Sequence, residues 1–268
     1  MELVPALFNL AIGICGLVVI VAAFLYVYQN KMIYQPNPMM QMSQYPDGNP
    51  NGYRSPADRG IPYQDVYLNS SPGVKIHAWL MTQTYKSAPT VVFFHANAGN
   101  LGYRMDNYEM LYSQLRLNVF AVSYRGYGYS EGTPSEEGLK LDAQAAIKYV
   151  FEETSVDKNK VFLFGRSLGG AVAIYAASKF QEYPVKGLIL ENTFTSMPKL
   201  VDHIMPKISF MKGLILKNFW DSQSLIGNLE CGILFISGTN DELVPPVHMQ
   251  QLKDSAVKAK TRDMVRLT

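Results

Sequence analysis

The sequence predicts an α/β architecture, a mostly parallel sheet flanked by helices, standing behind one N-terminal apolar helix. Three observations carry this. From Ile61 onward, short strand-like runs alternate with stretches of helical periodicity, the pattern of strands followed by helices that cross the sheet. Four of the strand-like runs are almost wholly apolar, as strands buried on both faces must be. The stretch from Leu3 through Asn30 contains no charged residue.

Taken in order, residues 1–34 read as a membrane anchor. Residues 4–28 are mostly Leu, Ile, Val, Ala and Phe. As a helix rising ~1.5 Å per residue they span roughly 37 Å, enough for a hydrocarbon core of ~30 Å. Tyr26, Tyr28 and Tyr34 suit an interfacial aromatic belt, and Lys31 can snorkel beside them. A cleaved signal peptide is the rival, but it needs a basic leader, and Met1 is followed by Glu2. The expected partner of 4–28 is therefore a lipid bilayer, in an orientation that one Lys against one Glu does not fix. Residues 35–60, rich in Pro, Asn, Gln, Met and Gly, show no periodicity and read as a juxtamembrane linker.

Residues 61–268 make the remaining domain. Strands are expected at 64–68, 74–82, 90–95, 119–124, 160–165, 187–191 and 232–237, with one more at 264–268. Helices are expected at 103–117, 136–151 and 168–179. The second has a start signal: Thr133 as N-cap, Pro134 behind it and Glu136 closing a capping box. Residues 193–228 break the alternation. They interleave Met197, Met205, Phe210, Met211, Phe219 and Trp220 with Lys199, Lys207, Lys212 and Lys217. Such an insertion is either a cap over a cleft or a pair of amphipathic helices lying on the sheet.

Composition narrows the class. Charged residues are 17% and hydrophobic residues 48%, which describes a packed chain. A formal net charge of +2 without a dense Lys/Arg run argues against nucleic acid. Cys15 and Cys231 lie in separate elements and make no disulfide framework. Neither a cofactor nor a metal is expected.

The chemistry is expected around Gly165-Arg166-Ser167-Leu168-Gly169, a Gly-x-Ser-x-Gly pentapeptide between an apolar strand and an apolar helix. A sharp strand-to-helix turn needs small residues two before and two after the serine. It lifts the hydroxyl above the sheet at a helix N-terminus, where free N–H groups stabilise an oxyanion. Ser167 is the expected nucleophile. The turn after strand 90–95, His95-Ala96-Asn97-Ala98-Gly99-Asn100, would supply the second oxyanion N–H, from Asn97 or Ala96, paired with that of Leu168. Asn97 is preferred. Asp241, in the polar turn after strand 232–237, is the expected acid, with Glu242 as neighbouring rival. A base is harder to find. The chain has His77, His95, His203 and His248. His95 reads as a structural residue at a strand end. His248 alone follows Asp241, on a helix too near the acid to reach Ser167.

The blocks 95–100, 123–136 (Ser123-Tyr124-Arg125-Gly126-Tyr127-Gly128-Tyr129-Ser130 and onward), 165–170, 190–194 and 237–246 resemble a serine-hydrolase family, that of α/β-hydrolase domain-containing protein 13 and its fungal bud-emergence-type relatives. The likeness runs over nearly the whole chain in five ordered blocks, and the N-terminal anchor fits. It implies an α/β-hydrolase fold with a small cap insertion, Ser167 as nucleophile and Asp241 as acid. It also implies a single-pass protein of the endomembrane system, in the endoplasmic reticulum or plasma membrane. The family's histidine sits in a Gly/Ser-His-Asn loop soon after the final strand, a few residues past Thr268. The base is therefore expected to be missing from this chain and its C-terminus to be incomplete. Depalmitoylating relatives share this kind of site, so the implied substrate is an acyl ester or thioester, palmitoyl-protein among them. The competing expectation is a membrane-tethered binding or scaffold protein that keeps the fold without turnover.

Overall fold

The computed structural model describes residues 3–38 and 42–268. Met1 and Glu2 of the expected anchor lie outside them, as do 39–41 of the expected linker. One sheet organises the domain. Its strands are β1 (Gln64–Ser70), β2 (Val74–Met81), β3 (Thr90–Phe94), β4 (Asn118–Val122), β5 (Val161–Arg166), β6 (Gly187–Glu191), β7 (Gly232–Gly238) and β8 (Arg262–Leu267). They stand in the order β1-β2-β4-β3-β5-β6-β7-β8. The pairings β1–β2 and β2–β4 are antiparallel, and those from β4 to β8 are parallel. All eight expected strands are present, with ends that differ from the expected ones by at most two residues.

Burial explains which sequences went where. β3 and β4 are buried at every position, whereas β1, at one edge, alternates over its second half. Successive side chains of a strand point to opposite faces, so each central strand feeds two cores. Val92, Phe94, Phe120, Val122 and Leu163 face α3 (Glu136–Glu152), α4 (Leu168–Lys179) and α8 (Pro246–Ser255). Val91, Phe93, Val119, Ala121 and Phe164 face the other way, onto Leu101, Met105, Tyr108 and Leu111. β8 forms the opposite edge and is exposed except at Met264.

The N-terminal helix α1 runs over Leu3–Ile33 and is long and apolar enough to cross a membrane. It continues past the expected end at residue 28 because Gln29 and Asn30 find partners on the domain. The Gln29 amide donates to the Ile215 carbonyl (2.9 Å) and accepts from the Lys217 N–H (2.7 Å), and Asn30 accepts from the Asn218 amide (2.8 Å). The segment read as a linker also lies against the domain. Asn49 and Asn100 exchange side-chain hydrogen bonds, and Arg59 pairs with Asp106 and Glu109. Its missing periodicity reflects two single-turn 3-10 helices, Pro46–Gly48 and Pro56–Arg59.

Two further expectations are corrected. The helix expected from Thr133 begins at Glu136 and is capped by Ser135, whose hydroxyl accepts from the Gly138 N–H (3.1 Å). Instead of closing a capping box, the Glu136 carboxylate reaches across to the N–H groups of Phe219 and Trp220. The helix expected over 103–117 is divided into a 3-10 turn (Leu101–Arg104), α2 (Met105–Glu109) and a π-helical turn (Met110–Gln114). Residues 193–228 hold α5 (Met197–Ile204), a 3-10 stretch (Pro206–Met211), α6 (Lys212–Ile215) and α7 (Ser222–Ile226). The two readings of this insertion divide it: α5 and α6 cap a cavity, while α7 packs on α4 and α8.

Candidate active site

The carboxyl ends of β3, β5, β6 and β7 share one edge of the sheet, since Phe94 stands opposite Gly165, Arg166 opposite Glu191, and Glu191 opposite Ile236. In open parallel sheets ligands bind outside these ends. Asn97, Ser167 and Asp241, singled out for chemistry in the sequence, lie on turns that leave this edge.

Ser167 occupies the turn between β5 and α4 at φ 52° and ψ −118°, a backbone conformation that non-glycine residues rarely adopt. The structure around it shows why the neighbours are small. A Cβ on Gly165 would strike the backbone of Gly169, and one on Gly169 would strike the Phe94 carbonyl. The strained turn is pinned from both sides. The Ser167 N–H donates to the Glu191 carbonyl (2.9 Å), and the Thr193 hydroxyl donates to the Ser167 carbonyl (2.7 Å). Leu168 starts α4, so its N–H belongs to the first turn, where helices leave donors free.

The turn after β3 is built from the side chain of Asn97 and from Arg104. Asn97 donates to the Ile33 carbonyl at the end of α1 and accepts from the Tyr127 hydroxyl (2.8 Å) and the Gln35 N–H (3.1 Å). The Arg104 guanidinium donates to the carbonyls of Ala96 and Ala98. Beyond β7, Asp241 Oδ1 accepts from the N–H groups of Leu243 (3.0 Å) and Val244 (2.8 Å), which orients the carboxylate within its own turn. Asn192, which follows β6, accepts from the Gly238 N–H at 2.7 Å and ties the turn after β6 to the end of β7. Glu242, the rival acid, is exposed.

Each of the four histidines has one ring nitrogen hydrogen-bonded to a group other than Ser167 or Asp241. His95 is fully buried, with Nδ1 2.7 Å from the Ala96 carbonyl, and burial pushes it down to about 3. His77 Nε2 lies 2.7 Å from Asp65 Oδ1. His203 Nε2 lies 3.0 Å from the Glu242 carbonyl oxygen. His248 is buried in α8 with Nδ1 2.9 Å from the Thr195 hydroxyl, and burial lowers it too.

Ser167, Leu168 and Asn97 open onto one cavity of about 320 Å³, within the range of small-molecule sites. Its walls are apolar: Phe194, Met197, Leu200, Val201 and Ile204 from the insertion, Leu243 and Val244 from the acid turn. One wall had no signal in the sequence beyond its length. Leu25, Gln29, Met32 and Ile33 of α1 line the cavity directly. The supporting residues Thr193, Asn192, Arg104 and Tyr127 were also not singled out as functional. Their roles come from contacts between distant segments, although Asn192, Thr193 and Tyr127 lie in blocks that carry the family resemblance. Among the described residues, no group of three or more His, Cys, Asp or Glu side chains is arranged to hold a metal ion.

Comparison with known proteins agrees with the fold. The sequence profile of the alpha/beta hydrolase fold matches residues 89–219. An uncharacterised membrane protein of Saccharomyces cerevisiae is 40% identical over 245 residues, covering 91% of this chain and 82% of that protein. Protein bem46 of Schizosaccharomyces pombe is 38% identical over 268 residues, covering 97% of this chain and 87% of bem46. Among solved structures, the Pyrococcus furiosus esterase Pf2001 superposes with a TM-score of 0.67 at 19% identity, covering 84% of this chain and 89% of the esterase.

Proposed function

This chain belongs to the α/β-hydrolase family, in the branch that holds bem46, and from that premise we propose that it is a membrane-anchored serine hydrolase of acyl esters or thioesters. The observation that carries this is Ser167 held at φ 52° on the strand-to-helix turn, facing an apolar cavity. In this reading the Ser167 hydroxyl attacks the substrate carbonyl, and the N–H groups of Leu168 and Asn97 receive the oxyanion. Collapse of that intermediate breaks the ester C–O or thioester C–S bond, and water then releases the acyl group from Ser167. Asp241 orients the base and stabilises its imidazolium form. An apolar wall suits a fatty acyl chain, palmitoyl included, better than a polar substrate.

The base of this reading is a histidine that none of the four in residues 1–268 supplies. β8 offers a place for it. Leu267 stands opposite Gly238 and its carbonyl accepts from the Thr239 N–H (2.8 Å), so the carboxyl end of β8 meets the acid turn. The second reading, a membrane-tethered binding protein without turnover, is favoured by one observation, the hydrogen bonding of all four histidines to groups other than Ser167 or Asp241.

Turnover of short- and long-chain acyl thioesters separates the two. The test compares the chain as it stands with a form extended by the C-terminal residues of the S. cerevisiae relative. The extended form should hydrolyse long chains preferentially, and residues 1–268 should retain at most the ~10³–10⁴-fold effect of oxyanion hole and binding. Equal turnover by both would show that a group within 1–268 acts as base. No turnover by either would favour the binding protein.

A further inference from the structure

We propose that the tip of the cap, residues 204–219, is a second membrane contact beside α1, so that the Ser167 cavity takes its acyl chain laterally from the bilayer. The inference rests on α1 as a membrane span, and it does not depend on whether Ser167 turns substrate over.

The first observation is the surface of the tip. Phe210 and Leu214 are 80% and 82% exposed, the most exposed large apolar side chains among the described residues, α1 included. Ile204, Met205 and Phe219 are exposed with them. A clustered apolar surface of this kind marks a binding site.

The occupant follows from what the tip is joined to. α6 packs against α1. The joint is polar and buried: Gln29 bonds the backbone of Ile215 and Lys217, and the Tyr34 hydroxyl donates to Asn218 (2.7 Å) and accepts from the Trp220 indole (3.0 Å). The apolar tip is thus held at a set height beside a helix whose remaining side chains face outward. That height is the end of the apolar run. Gln29, Asn30 and Lys31 follow it directly, while Leu25, one turn inside the run, already lines the cavity. The cavity wall therefore crosses the boundary between polar and apolar levels.

Charge fits a headgroup layer. Lys207 and Lys217 are exposed on the insertion and Lys31 on α1, while Asp202 is neutralised by Lys212. Lys217 Nζ sits 3.7 Å from the centre of the Tyr26 ring, the arrangement of an interfacial aromatic and a snorkelling cation. A leaflet with anionic headgroups and apolar tails matches all of these, whereas a soluble partner would have no reason to sit beside a spanning helix. Lateral entry also spares a long acyl chain passage through water, which its apolar surface opposes.

Depth-dependent fluorescence tests this on the full chain. Cys15 and Cys231 are replaced by serine, and an environment-sensitive dye is placed at one new cysteine at a time. The positions are Leu214→Cys, Phe210→Cys, Val18→Cys in α1, and Val257→Cys before β8. The protein is reconstituted in phosphatidylcholine vesicles with and without phosphatidylserine. Dyes at 214 and 210 should shift to the blue, be quenched by nitroxide-labelled acyl chains and resist aqueous iodide, as at 18, while 257 stays open to iodide. Lys207→Glu with Lys217→Glu should return position 214 toward iodide in the anionic vesicles. Dyes at 214 and 210 as open to iodide as 257, with 18 still in lipid, would overturn the proposal and leave the anchor standing. An aqueous dye at 18 would overturn both. No response to the lysine substitutions would overturn the anionic headgroup as partner. The circular dichroism of each variant guards against misfolding, and the two tip positions serve as checks on each other.

Discussion

Holding Ser167 in its left-handed turn costs on the order of 1–3 kcal/mol, and such strain persists only where surrounding contacts over-determine it. Here those contacts are the hydrogen bonds to Glu191 and Thr193 and the close approach of Gly169 to Phe94. Gly169→Ala should therefore push α4 away from β3. Overpacking of this kind costs about 1–3 kcal/mol, and urea unfolding in detergent should show it. An unchanged midpoint would mean that the turn is looser than its geometry indicates. His95 offers a second residue-scale test. Burial, with a smaller contribution from Arg104, pushes it down to about 3 in the folded protein, while an unfolded histidine titrates near 6.5. Between these values the unfolded chain holds a proton that the folded chain lacks, so stability rises with pH across the window. It is fully present above about pH 6.5 and is lost as pH falls toward 3. His77 and His248 are lowered by burial as well and add slope of the same sign. His95→Gln should remove part of the slope of unfolding midpoint against pH between 4 and 6.5. A slope equal to that of the unsubstituted chain would contradict the assignment.

At the scale of elements, what the sequence showed and what it hid follow from the range of the interactions. β3, β5, β6 and α4 were legible because most of their residues are buried and the pattern is local: β6 and α4 agree at both ends. The start of α3 was not legible from its own residues. The capping box looked complete at Thr133 and Glu136, but Glu136 is taken by Phe219 and Trp220, more than eighty residues away, and Ser135 is left to cap. The same holds for α1. Its apolar run ends near residue 28, and its last turn exists because Gln29 and Asn30 are satisfied by Ile215, Lys217 and Asn218. Ser167, Leu168 and Asn97, which turn chemistry singled out in the sequence, line one cavity. The α1 wall was hidden, because no local pattern reveals that an apolar helix will dock on a cap. Gln29→Leu tests this joint. It leaves the Lys217 N–H, the Ile215 carbonyl and Asn218 short of a partner, at about 1–3 kcal/mol for each group that stays buried. Amide hydrogen exchange at residues 212–219 should accelerate, and α3 should be unaffected. Unchanged exchange at the tip would show that α1 and the cap are held together by something other than this amide.

Over the whole molecule, one sheet edge gathers the turns that follow β3, β5, β6 and β7, and a helix long enough to span a membrane closes the cavity they surround. One helix, α1, is thus both a wall of this cavity and long and apolar enough to cross a membrane. The central claim is that Ser167 is the nucleophile of this arrangement. The most direct measurement is labelling by a fluorophosphonate probe, with the modified residue identified by mass spectrometry. It is made in the form extended by the C-terminal residues of the S. cerevisiae relative and in the same form carrying Ser167→Ala. The account predicts a single adduct on Ser167 that the substitution abolishes, with loss of turnover on the order of 10⁴–10⁶-fold. Labelling that survives Ser167→Ala, or an adduct at another residue, would contradict it.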